Sequence, residues 1–239
     1  MGHVILPRPP MRLDKYLCSA TELTRSLAKK LLHRGEVTCD GEVIKDPGFK
    51  VTDQHIICID GEPVTPLGER YLMLHKPPEC VSSHTDDGYP SVLIYIDQLR
   101  REELKIVGRL DADTTGLLLL TTDGKWSHRI TSPNSRCPKR YRVTLADPID
   151  QNQLDSLNTG VLLHGESEPV SGQAEQIDSH NLWLTIGEGK YHQVKRMCAA
   201  MGNKVVGLHR HSIGDLTLDS ELAPGEWRAL TPEEIAQFQ

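Results

Sequence analysis

Two carboxylates stand two residues apart in Gly108-Arg-Leu-Asp-Ala-Asp-Thr-Thr-Gly116, beside the guanidinium of Arg109 and the hydroxyls of Thr114 and Thr115. A carboxylate kept ionised by a neighbouring cation can attack an electrophilic carbon or stabilise developing positive charge. Asp111 and Asp113 could also serve as the acid and base of a glycoside or nucleoside hydrolase, although residues so close in a loop seldom span the separation that such a pair needs. The bland alternative is a salt-bridged turn with no chemistry.

The flanking residues decide how such a segment is presented. Lys105 to Val107 and Leu117 to Thr121 are short apolar runs bounded by Gly108, Gly116 and the Asp123-Gly124 turn signal, which predicts two buried strands. A polar loop held by two core strands is a rigid platform of the kind that carries function. Further on, Lys139-Arg-Tyr-Arg-Val-Thr-Leu alternates in character and predicts a half-exposed strand with Tyr141, Val143 and Leu145 on one face. Tyr141 could be an ordinary core residue. Val194, Met197, Cys198 and Met201 fall at helical spacing, with Gly202 as the stop and Lys195 and Arg196 beside the buried stripe.

The full string Gly-Arg-Leu-Asp-x-Asp-Thr-Thr-Gly-Leu-Leu-Leu-Leu-Thr-x-Asp-Gly resembles the signature of the Rsu branch of the pseudouridine synthases. Strand 139–145 resembles the second motif of that family, and Gly-Lys-Tyr-His-Gln-Val-Lys-Arg-Met the third. The resemblance implies that Asp111 is the catalytic aspartate, that Arg109 displaces a base from its stack, that Tyr141 packs against the target base, and that Lys195 pairs with the aspartate. Asp113 and Thr114 are expected to brace the loop rather than react. Such an enzyme breaks the bond between ribose and uracil N1, turns the base and rejoins it through C5, with no atom gained or lost. The target must first leave its stack. The Tyr71-Leu-Met-Leu-His-Lys-Pro-Pro strand also resembles the family, which usually has Gly soon after the Lys-Pro; here Glu79 and Cys80 follow Pro78 instead.

The N-terminal part reads differently. Leu13, Tyr16, Leu17 and Ala20 share one helical face; Thr24 caps a second helix with Leu27, Ala28, Leu31 and Leu32 inward, ended by Gly35. Arg25, Lys29, Lys30 and Arg34 lie on its outer side, and Asp40-Gly41 marks a hairpin. Residues 11–60 resemble the S4 RNA-binding module, which implies a grip on structured RNA through phosphate and shape. A solvated amphipathic helix pair is the plain alternative. Residues 1–10 are expected to be an extension without function, 61–70 a linker dense in Pro and Gly, and 71–239 the catalytic domain.

The formal charge of −6 over 239 residues argues against indiscriminate coating of nucleic acid. Positive charge is nonetheless local: residues 125–142 hold six Lys or Arg, including Lys139 and Arg140, and no carboxylate. Residues 188–211 hold Lys190, Lys195, Arg196, Lys204 and Arg210 against Glu188. Together with the motifs, this makes Arg109, Arg25, Lys29, Lys30, Arg34, Lys139, Arg140 and Arg196 the candidate RNA contacts. Six scattered cysteines without a CxxC pair predict free thiols. His209-x-His211 lacks a third ligand in sequence, so no metal is expected, and neither a Walker sequence nor a dinucleotide fingerprint implies a cofactor.

The expected fold class is α+β: a small S4-like module, then a larger domain with a mixed, mostly antiparallel sheet, helices outside and a cleft at its middle. A cytoplasmic monomer is expected, with ribosomal RNA or a ribosomal subunit assembly intermediate as partner and no membrane association. Lys195, Asp113-Thr-Thr-Gly and Ser83-His-Thr-Asp-Asp resemble the members acting on small-subunit 16S RNA. Large-subunit 23S RNA stands as an alternative, as does an RNA-binding protein without catalysis.

Overall fold

The computed structural model describes residues 10–239. The chain divides between Gly68 and Glu69 into two compact units. The extension expected at residues 1–10 lies, apart from Pro10, outside the described residues.

The first unit contains β1 (Met11–Arg12), α1 (Leu13–Ala20), α2 (Arg25–Arg34), β2 (Val37–Cys39), β3 (Glu42–Val43), β4 (Lys50–Val51), β5 (Ile57–Ile59) and β6 (Glu62–Pro63). Thr24 caps α2 by accepting from the Leu27 amide, and Gly35 closes it. Leu13, Leu17, Ala28, Leu32, Val37, Val51 and Ile57 form the core beneath a β3-β2-β5-β6 sheet. Leu27, expected inward, is 46% exposed, because the short α2 buries a narrower stripe than its sequence offers. The strand Glu62–Pro63, expected within a linker, pairs with β5 across Asp60-Gly61. Asp60-Gly61 repeats the Asp40-Gly41 turn, with positive φ at both central residues in each case.

The second unit contains β7 (Tyr71–Lys76), β8 (Lys105–Val107), β9 (Thr115–Thr121), α3 (Gly124–Thr131), β10 (Lys139–Leu145), α4 (Gln151–Thr159), β11 (Gln173–Gln176), β12 (Asn181–Ile186), α5 (Gln193–Ala200), β13 (Val205–Ile213), β14 (Leu216–Thr217), β15 (Trp227–Ala229) and α6 (Pro232–Ala236). The sheet order is β11-β12-β10-β13-β9-β7-β15, with β14 on β13 and β8 on β9. Every pairing in it is antiparallel except β13 with β9, which meet at His209↔Thr115 and Arg210↔Gly116. The expected mixed sheet with flanking helices is present.

The apolar run after Gly116 is explained by its position. β9 is buried on both faces: Leu118 and Leu120 enter the core with Tyr141, Val143, Leu182 and Leu184, while Leu117 and Leu119 enter the core with Met73, Trp126 and Ile213. Each fully buried leucine contributes roughly 2 kcal/mol of transfer free energy. A strand that feeds two cores cannot slip or tilt, and that fixes the loop at its start.

The parallel join needs Gly116. Its φ is +109, and a Cβ there would fall on the Arg210 carbonyl oxygen and within 2.7 Å of the Arg210 amide nitrogen. Gly116→Ala is therefore expected to cost on the order of 3 kcal/mol or more by forcing β9 from β13. Gly124→Ala, whose Cβ meets only the flexible end of Lys105, is expected to be near neutral. Urea denaturation of both variants checks this; equal midpoints would refute it.

Candidate active site

Residues 108–114 join β8 to β9, and the carbonyls of Gly108, Leu110, Asp111, Ala112 and Thr114 each accept a hydrogen bond. Arg210 Nη2 donates to Gly108 O at 2.8 Å, and Ser82 Oγ donates to Leu110 O at 2.9 Å while accepting from the Leu110 amide at 3.0 Å. The Thr114 amide donates to Asp111 O, and the Glu79 amide donates to Ala112 O at 2.8 Å. Lys76, at 0% exposure, places Nζ on Thr114 O at 2.8 Å, Pro77 O at 3.0 Å and Ala112 O at 3.3 Å. Burial lowers the Lys76 pKa, against the pull of Cys80 and the two loop aspartates. The turn where the family has glycine is kept by Glu79 in the left-handed region, φ +60.

This clamp leaves the Asp111 side chain partly open. Its Oδ2 accepts from Lys195 Nζ at 3.0 Å, and its Oδ1 lies 3.2 Å from His192 Nε2. Lys195 Nζ also donates to Asp113 Oδ1 at 2.7 Å, so one ammonium spans both loop carboxylates. Burial alone would lower the Lys195 pKa, but the two carboxylates outweigh it and the value is raised. For Asp113 burial pushes upward, and Lys195 overcomes it, so the value is lowered from the ordinary 3.8. Lys195 comes from the first turn of α5, after His192 in the left-handed region at φ +47.

Asp111, His192 and Lys195 line a cleft of about 940 Å³ together with Arg109, Tyr141, Lys139, Tyr191 and Arg210, whereas Asp113 lies outside its lining. Tyr141 is 7% exposed and sits in the wall. Arg109 is exposed. Arg210 is 1% exposed, donates through Nε to Leu117 O, and has no carboxylate within ion-pair distance among the described residues. It leaves fixed positive charge beneath the loop.

Several of the basic residues expected at an RNA surface are otherwise engaged. Lys139 is buried in the cleft wall, its Nζ donating to Cys137 O and its pKa lowered by burial. Arg140 points to the sheet face opposite Tyr141, pairs with Glu175 at 3.0 Å and lies over Trp183. Arg196 donates to His164 O at 2.7 Å and lies 3.6 Å from Glu166. In the first unit Arg25, Lys29 and Lys30 are exposed on α2, while Arg34 lies 3.6 Å from Glu36. Lys76, His192 and Arg210 were not singled out from sequence as site residues. His192 lies inside the third motif string and so carried a signal.

Three possible metal ligands, Cys39, Asp40 and His55, converge in the first unit. The Thr52 amide donates to His55 Nδ1 at 3.0 Å, so the neutral ring holds its proton on Nε2 and has no free lone pair to offer. His209 is half-buried, and its pKa is pushed down to about 4 by that desolvation and by His75, His211 and Arg142 nearby.

The chain belongs to the RNA pseudouridylate synthase family, whose model matches residues 70–200, and the S4 domain model matches residues 11–57. It is 51% identical over 229 residues to ribosomal small subunit pseudouridine synthase A of Vibrio cholerae, covering 95% of this chain and 99% of the relative. It is 52% identical over 231 residues to the Pasteurella multocida protein of the same name, with the same coverage. A crystal structure of a pseudouridylate synthase superposes with a TM-score of 0.69 at 47% identity, covering 96% of this chain and 100% of that one.

Two predictions arise from the clamp. Lys76→Met keeps the bulk but leaves the Thr114 and Ala112 carbonyls without their ammonium, at about 2–4 kcal/mol; thermal melts and turnover should both fall, with RNA affinity less affected. Because its folded pKa is lowered, Asp113 contributes stability above its unfolded value that is lost as pH falls through the folded one. The margin of wild type over Asp113→Asn, at most ~1 kcal/mol for so exposed a pair, should vanish in urea titrations well below pH 4 and persist at pH 7.

Proposed function

We propose that this chain isomerises one uridine of small-subunit 16S ribosomal RNA to pseudouridine, with Asp111 as the reacting carboxylate. The observation that carries the proposal is the Lys195 ammonium on Asp111 Oδ2 within a cleft wide enough for an extruded nucleotide. Attack on the ribose and formation of a glycal both need this carboxylate ionised, and an adjacent cation favours that form. Lys195 and Tyr141 complete the reacting site: the first holds the charge, and the second offers a flat face to the uracil. Arg109, exposed beside the cleft, fills the space that the uridine vacates.

Specificity for the small subunit is supported by the names of the relatives, which cover almost the whole chain. The S4 domain supplies phosphate and shape contacts through Arg25, Lys29, Lys30 and Arg34. No helix of the described residues is long and apolar enough to cross a membrane. A cytoplasmic monomer acting on ribosomal RNA or on an assembling subunit, without a cofactor, completes the proposal.

Incubation with unmodified 16S RNA, followed by carbodiimide primer extension, tests it. Wild type should yield pseudouridine, and Asp111→Asn should lower the rate by at least about 10³-fold while leaving RNA affinity largely intact. Released uracil would point to a hydrolase, unchanged RNA to a binding protein, and reaction only on 23S RNA to a large-subunit enzyme.

A further inference from the structure

Resting on that proposed reaction, we infer that Tyr191, stacked on His192 in the wall of the cleft, is a binding subsite for the base of a nucleotide flanking the target uridine. Tyr191 is 77% exposed, more than any other large apolar side chain among the described residues. Its ring lies on that of His192 with centroids 3.8 Å apart and planes 21° apart. One face of the tyrosine is therefore covered and the other faces solvent. An aromatic face held open beside a nucleotide-sized cleft matches the way proteins take up unpaired bases, because every base has a π-face to stack.

The platform is held in place. The Tyr191 carbonyl accepts from Arg196 Nη1 at 3.3 Å, and the Lys190 amide donates to Gln193 Oε1 at 2.9 Å. Lys190 itself is tied to Glu166 at 2.7 Å. His192 holds a left-handed backbone, a conformation that persists only where the surroundings impose it. The imidazole that carries Tyr191 on its face has Nε2 3.2 Å from Asp111 Oδ1. A base stacked on Tyr191 would thus be connected through one ring to the reacting carboxylate.

The geometry also separates this subsite from the two aromatic and cationic positions already assigned. Tyr141 is 7% exposed within the wall, suited to the extruded base itself, and Arg109 lines the cleft where it would fill the space left by that base. A neighbouring base loses a stacking partner when the uridine leaves. Tyr191 replaces that partner.

The test uses full-length protein and 16S transcripts in which the uridine modified by wild type has been mapped. Ligated transcripts then carry an abasic residue at its 5′ or its 3′ neighbour. Tyr191→Phe should stay within about twofold of wild type in kcat/KM, and Tyr191→Ala should lose about tenfold, mostly in KM, with an unchanged melting temperature. One abasic substitution should slow wild type by a similar factor and leave Tyr191→Ala unaffected. Wild-type rates for Tyr191→Ala, or a defect equally large on intact and both abasic transcripts, would overturn the subsite. If wild type forms no pseudouridine on the intact RNA, the proposed reaction fails, and the subsite fails with it.

Discussion

A buried ammonium governs this site. Lys76 sits at 0% exposure with its Nζ on three backbone carbonyls, two of them from the loop that carries Asp111. Desolvating a cation is costly, and without those carbonyls its burial would be prohibitive. Loop and lysine therefore require one another: the loop cannot move without stranding the charge, and the lysine cannot stay charged without the loop. The arginine below, the serine beside it and the Glu79 amide extend the same logic to Gly108, Leu110 and Ala112. A carboxylate on such a loop is held in one position by its own backbone.

The electrostatics then follow from how many cations face how many carboxylates. Asp111 meets Lys195 on one oxygen and His192 on the other, and Asp113 takes a share of the same ammonium. Arg210, buried and without a carboxylate partner among the described residues, adds positive potential beneath them. An overall charge of −6 is compatible with RNA as a partner because cations gather locally, in the cleft, on α2 and at the exposed Lys125, Arg129, Arg136 and Arg142. Such an arrangement favours docking at one place over coating of the polymer.

Most of the backbone plan was legible in the sequence because it rests on periodicity and punctuation. The apolar run 117–120 is continuous because β9 is buried on both faces, and Thr24 and Gly35 cap α2 where their chemistry suggests, while Asp123, read as part of a turn, proves to cap α3. The second hairpin carried the same Asp-Gly signal as the first, but the surrounding Pro and Gly read as a linker. Partners were the harder part. A string of Lys and Arg cannot reveal that Glu175 and Glu166, far along the chain, neutralise Arg140 and Arg196, or that Lys139 is buried. Lys76 looked like the end of a strand because nothing local announces the Ala112 and Thr114 carbonyls arriving from elsewhere.

Two of the six left-handed non-glycine residues among the described residues serve the same loop. Glu79 and His192 both hold a left-handed backbone, worth on the order of 1–2 kcal/mol each for a residue with a Cβ. The first delivers its amide to Ala112 O; the second turns the chain into α5 so that Lys195 and its own ring reach Asp111 from one side. A relaxed turn at either place would aim the same side chains elsewhere. Strain at Glu79 and His192 is thus the local cost of fixing the β8–β9 loop from one side and bringing α5 onto its carboxylate, and the doubly buried β9 supplies the stability that offsets it.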